Sequence, residues 1–441
     1  MTALPQQPVN HATILRIAIP IMLSNVTEPL IGVVNTAVVG QLPEAHLIGG
    51  VAVGALIFSF LFWGFGFLRL STSGLSAQAT GAGDAREVGA VVWRSLLIAI
   101  GVGLALIALS PVLKPSAISL MGGSAEVQAA ATTYFSYRIW AAPAALANFT
   151  ILGWFIGQGR TKVALITQLA LNVTNMVLSI IFVLHFDMGI AGVGLAVLIA
   201  EYAAAGLGLL MVVWRLRELQ QPFDRALVLN AEKIKALVTA NADMMIRTVC
   251  LLFAFAWFTS RGARNGDTTV AANAVLLHLF EIAAYMLDGF AYAAEALVGQ
   301  AIGGKDRARY GKAIRLSTFY VMAFGAMASV LIWLFGSYFI AVMTVNEDVR
   351  SFANSYLFWA AITPFLGAAC FLYDGIFTGA MATRDMRNMM VLSLAAYMLA
   401  WFLLEPRYGN HGLWAALSVF FLVRSISFAA RLPAIKVRVF G

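Results

Sequence analysis

The sequence predicts an all-α polytopic membrane protein, with twelve transmembrane helices in two pseudo-symmetric six-helix bundles around a central cleft. Three observations carry that expectation. The composition is far too apolar for water, twelve apolar stretches have spanning length, and a set of small and polar residues recurs after about 220 positions.

Of the 441 residues, 61% are hydrophobic and 11% are charged. A soluble domain carries roughly 45–50% apolar and about 25% charged residues, so this chain could not cover a water-facing surface. No Gly-X-Y period is present, polarity is too low for disorder, and two cysteines cannot make a disulfide scaffold. Cys250 and Cys370 lie in apolar runs and are expected to pack as small hydrophobes.

A spanning helix needs about 20 mostly apolar residues. Such stretches fall at about 13–40, 47–70, 88–110, 133–157, 163–185, 189–214, 236–259, 269–301, 313–338, 351–380, 387–404 and 410–430. Their length and lack of alternation favour helices over a barrel. Lys and Arg concentrate after the even-numbered stretches, at Arg86, Arg160, Lys162, Arg215, Arg217, Lys305, Arg307, Arg384, Arg387, Arg431 and Arg438 among others. That asymmetry predicts a multi-pass protein of the cell inner membrane with both termini cytoplasmic. The net charge of +8 is then explained by topology and contact with anionic membrane lipids, and no nucleic-acid partner is expected.

A displacement of 222 residues superposes Gln78-Ala79, Gly81 and Asp84 on Gln300-Ala301, Gly303 and Asp306, and Gly153, Phe155 and Gly157 on Gly375, Phe377 and Gly379. A displacement of 220 brings Gly192 and Ala196 onto Gly412 and Ala416. The halves divide at the most polar segment. The expected organisation is an N-terminal lobe at 1–217, an inter-lobe linker at 218–235 and a C-terminal lobe at 236–441. Six spans per half leave both lobes in one orientation, a parallel two-lobe design suited to alternating access.

Ionisable residues inside spans are functional candidates, since each costs about 2.5–3.5 kcal/mol to insert. Glu28 and Glu201 stand out in the first half, and Asp288, Glu295 and Asp374 in the second. Glu281, Asp288 and Glu295 recur every seven residues and share one stripe that drifts by about 20° per step. Either proton uptake or hydrogen-bonded bracing of the bundle accounts for these acids. Pro20 and Pro29 each remove a helical hydrogen bond and are candidate bend residues in the first span. Asp243 and Arg247, spaced i,i+4, are expected to form a structural ion pair.

Further motifs add to this. The first span reads Ser24-Asn25, Pro29-Leu30, Gly32-Val33-Val34 and Asn35-Thr36-Ala37-Val38-Val39-Gly40. Gly66-Phe67-Leu68-Arg69, Gly153-Trp154-Phe155 with Gly157 and Gln158, Asn172 with Asn175, Ala272-Asn273, Asp288-Gly289-Phe290-Ala291 and Asp374-Gly375 follow. Together these resemble the multidrug and toxic compound extrusion (MATE) transporters, in particular their bacterial DinF branch, over nearly the whole chain. The resemblance implies export of small amphipathic, often cationic, organic compounds against H⁺ or Na⁺ by alternating access. It implies no cofactor beyond the coupling ion, and a monomer.

In that family, an acid on span 1, an Asn and an Asp on span 5 and a Thr on span 6 hold the cation. The matching positions here are Asn35, Asn175, Ser179 and Val197, with Asn172 beside them. Only Asn175 keeps the family residue. Asn35 and Ser179 cannot take up a proton, but their oxygens can ligate a hard cation. A hydrogen-bonded interhelical cluster is the structural alternative for the same residues. Lipid-linked oligosaccharide flipping and a non-coupled binding variant remain alternative functions. An enzyme is not expected, because the five His residues are scattered and neither a metal-protease motif nor a serine elbow occurs.

Overall fold

The computed structural model describes residues 8–41, 45–221 and 223–441, with the side chains at 28, 33, 36 and 45 excepted. Among the described residues, twelve helices are long and apolar enough to cross a membrane. Numbered spans 1 to 12, they are His11–Val39, His46–Gly81, Ala85–Met121, Ala125–Gly157, Thr161–His185, Gly189–Glu218, Ala231–Arg264, Asp267–Gly303, Arg307–Met343, Glu347–Gly379, Thr383–Tyr408 and Asn410–Phe440. Each coincides with one apolar stretch of the sequence.

Most helices outrun their apolar cores because polar residues cap them. Asp84 accepts from the Glu87 amide at 3.0 Å to begin span 3, and Asp306 accepts from the Arg309 amide at 2.8 Å to begin span 9. Asn346 does the same for Val349 at span 10. Such caps satisfy amides that the first helical turn leaves unpaired. Two spans are interrupted. Span 2 leaves α-helical geometry between Gly64 and Phe67, and span 4 passes through a 3-10 turn at Ile139–Ala141 just before Pro143, which has no amide to donate. Span 1 is assigned as one unbroken helix through Pro20 and Pro29.

The chain divides into two compact units, and the division differs from the sequence expectation. The first unit comprises Leu23–Leu237, so the linker expected at 218–235 belongs to it. The physical reason lies in Arg94, which is 2% exposed and donates to the Leu227 and Val228 carbonyls at 2.8 and 3.4 Å. Glu87 accepts from Arg94 at 3.2 Å and pairs with Lys233. The second unit comprises Val238–Gly441 together with the described residues up to Met22. His11 bonds to the Tyr320 hydroxyl at 3.0 Å, and an added Cβ at Gly289 would meet Met22 at 2.6 Å and the Ala18 carbonyl at 2.9 Å. The start of span 1 is therefore packed as part of the second unit.

Inside each unit the same helix contact recurs. In the first, Gly153 and Gly157 of span 4 press on span 2, where a Cβ would lie 2.3 Å from the carbonyl oxygens of Arg69 and Ser73. In the second, Gly375 and Gly379 of span 10 press on span 8, at 2.1 and 2.3 Å from the carbonyl oxygens of Ala291 and Glu295. All four pairs obey the 222-residue displacement. Small residues at these positions let backbones approach closely, which drives helix association where lipid offers no hydrophobic gain.

Candidate functional site

The family-matched positions all lie in the first unit, where Asn35 and Asn175 are joined by a hydrogen bond. Asn35, Asn172, Asn175 and Ser179 are all buried, at 6%, 0%, 1% and 0% exposure. Asn35 donates from Nδ2 to Asn175 Oδ1 at 3.4 Å, joining span 1 to span 5. Asn172 donates to the Thr27 hydroxyl at 2.6 Å and accepts from Gln168 at 3.1 Å, and Thr27 donates to the Ser24 carbonyl at 2.7 Å. Thr27 lies eight residues before Asn35, on the same broad helical face. That spacing is the signal by which it could have been recognised beforehand. Val197 on span 6 is also buried.

The network is incomplete in one place. Asn35 Oδ1 and Ser179 Oγ are buried with no hydrogen-bond partner among the described residues, although a buried polar atom ordinarily has one. Two hard oxygens of this kind, beside the Asn175 amide, suit a small cation better than a proton.

Glu201 accepts from Asn148 Nδ2 at 2.8 Å, tying span 6 to span 4. The side chain of Glu28 lies outside the described residues. The predicted stripe on span 8 runs from exposed to buried: Glu281 is 54% exposed and pairs with His278 at 2.9 Å, Asp288 is half-buried, and Glu295 is 1% exposed.

The expected Asp243–Arg247 pair is replaced by contacts between helices. Asp243 accepts from Arg387 at 2.6 Å and from the Thr383 hydroxyl at 3.0 Å, both on span 11. Arg247 instead reaches Asp374 on span 10, where Arg424 of span 12 also binds. An i,i+4 pair yields only about 0.2–0.5 kcal/mol, whereas a buried carboxylate needs several donors to offset its lost hydration. Asp374, expected as a titratable group, is thus held between two guanidiniums. Among the described residues, no cluster of three or more His, Cys, Asp or Glu is placed to hold a metal ion.

The MatE family model matches residues 20–181 and 243–403, one segment in each half. The DNA damage-inducible protein F of Escherichia coli K12 is 40% identical over 423 residues, covering 94% of this chain and 90% of that protein. A probable multidrug resistance protein NorM of Bradyrhizobium diazoefficiens is 26% identical, covering 92% and 89%. A crystal structure of MATE in the bent conformation superposes with a TM-score of 0.88 at 18% identity, covering 97% of each chain, and shows the shared fold. The repeated lobes, the twelve spans and the matched segments place this chain in the MatE family of multidrug and toxin efflux transporters, in the branch of the DNA damage-inducible protein F.

Proposed function

We propose that this protein exports small amphipathic organic compounds, cations among them, across the cell inner membrane by alternating access, in exchange for H⁺ or Na⁺. Both termini face the cytoplasm and the working unit is a monomer. The observation that carries the coupling is the pair of buried oxygens without a partner among the described residues, Asn35 Oδ1 and Ser179 Oγ, close in sequence or by hydrogen bond to Asn175. They offer ligands to Na⁺ without carrying a charge of their own. Asn is also the neutral isostere of a protonated Asp, so position 35 stands permanently in the form that an acid would adopt after taking up a proton.

The test is transport of a fluorescent organic cation into proteoliposomes under an imposed Na⁺ or pH gradient. Na⁺-driven movement is expected in the protein as it stands. Asn35→Asp should add movement driven by a pH gradient. No gradient-dependent movement in either protein, across a panel of substrates, would refute the exporter reading.

A further inference from the structure

The second unit holds a charged cluster outside the proposed coupling site. Arg247 on span 7 and Arg424 on span 12 both donate through Nη2 to one oxygen, Oδ2, of Asp374. Arg424 is 2% exposed. A guanidinium carries five N–H donors and normally engages both oxygens of a carboxylate as a fork. Here neither does. The Nε of Arg247, the Nε of Arg424 and the Oδ1 of Asp374 are all buried without a partner.

Two cations therefore share one atom of one anion. Two donors and one acceptor stand unused. The side chains of Arg247 and Asp374 are 12% and 15% exposed, so what access the cluster has lies on their side and not at Arg424.

An apolar wall adjoins it. Phe371 and Phe421 lie one helical turn before Asp374 and Arg424. Their rings gather on Phe280 at 6.3 and 5.3 Å, with Phe255 at 6.5 Å from Phe421; Phe280 and Phe421 are buried, while Phe371 and Phe255 keep partial exposure.

We propose that Arg247 and Arg424 form a binding site for the oxyanion group of an amphipathic organic anion, a carboxylate or sulfonate, whose apolar body rests on the partly exposed rings of Phe371 and Phe255. The ligand oxyanion supplies the acceptors that the two Nε groups lack, and it competes with Asp374 for the guanidiniums. An organic cation would have to displace both arginines, so this site discriminates against it. The inference rests on the exporter reading only in making the bound anion a cargo, since binding itself needs no gradient. Free anion and anionic lipid headgroup share the recognised chemistry.

The experiment is equilibrium binding to the full chain in phosphatidylcholine nanodiscs. The probes are a dansyl-labelled alkyl carboxylate and a dansyl-labelled alkylammonium of equal chain length. Arg247→Gln and Arg424→Gln should each weaken carboxylate binding at least about tenfold, the effect of one charge-assisted hydrogen bond, and leave ammonium binding unchanged. Asp374→Asn should tighten carboxylate binding by a similar factor, because the resident competitor loses its charge. That outcome separates a binding site from mere bracing, in which all three variants would weaken both probes together. Discs containing phosphatidylglycerol identify the source. Competition there makes the ligand a lipid headgroup; its absence makes it a free organic anion. Equal carboxylate affinity in the native chain and both arginine variants overturns the proposal. Binding as described without gradient-driven transport would uphold the site and refute only the exporter reading.

Discussion

Gly157 and Gly379 stand 222 residues apart, and each faces the carbonyl oxygen of a residue itself 222 apart from its counterpart, Ser73 in one half and Glu295 in the other. A Cβ at either glycine would lie 2.3 Å from that oxygen, far inside contact distance. Backbone, unlike the end of a long side chain, cannot swing away. Gly157→Ala and Gly379→Ala should therefore each cost about 1–3 kcal/mol, as overpacking does, and lower the thermal midpoint in detergent. Gly101→Ala is the control. Nothing lies within 4 Å of its added Cβ, so its midpoint should hold or rise. Equal midpoints for all three variants would refute the close-packing account.

The same displacement governs the backbone after spans 2 and 8. Gly83 takes φ 71° and Lys305 takes φ 53°, both left-handed. Gly83 has open space around its Cβ, so a side chain there pays only the left-handed penalty of about 1–2 kcal/mol. Gly83→Ala should destabilise by about that amount, and Lys305→Gly should stabilise by up to about 1 kcal/mol, since glycine removes the strain but frees the unfolded chain. Denaturation midpoints of the two variants should move in opposite directions.

Arg94 holds the linker by two carbonyls and Glu87. Arg94→Gln leaves Glu87 with Lys233 alone and the carbonyls at 227 and 228 without their donor. Limited trypsin digestion should then cut at the exposed Arg225 several-fold faster, and stability should fall by about 1–3 kcal/mol, the cost of leaving buried polar groups unpaired. An unchanged cleavage rate would show that the linker is held elsewhere.

Ser179 contributes a buried hydroxyl with no partner among the described residues. Ser179→Ala removes an unsatisfied group, so its folding stability should stay within about 1 kcal/mol of the native chain. Na⁺-driven transport should nonetheless fall, because one candidate ligand is gone. A large stability loss with transport intact would make Ser179 structural.

Much of this molecule was legible beforehand. Twelve helices follow from apolar length, since a bilayer leaves a backbone no other way to satisfy its amides. The repeat was readable because close helix contact tolerates only small residues, and Gly153, Gly157, Gly375 and Gly379 therefore survive as a pattern. Asn35 and Asn175 were grouped through resemblance, and in the fold a hydrogen bond joins their side chains. Thr27 was passed over, because a single hydroxyl in a helix usually satisfies itself on its own backbone. The Asp243–Arg247 expectation failed for a related reason. Helical spacing identifies residues that can meet, but not better partners on helices distant in the chain.

The sequence by itself determined the class, the number of spans, the doubling and the family, because each rests on composition, local periodicity or residue identity along the chain. Only the tertiary structure decided who pairs with whom: Arg387 with Asp243, two arginines on Asp374, Arg94 on the linker, and the start of span 1 within the second unit. Those choices depend on which helices lie side by side and how far their side chains reach. A buried charge accepts whatever partner the packing brings within reach, whatever its position in the chain.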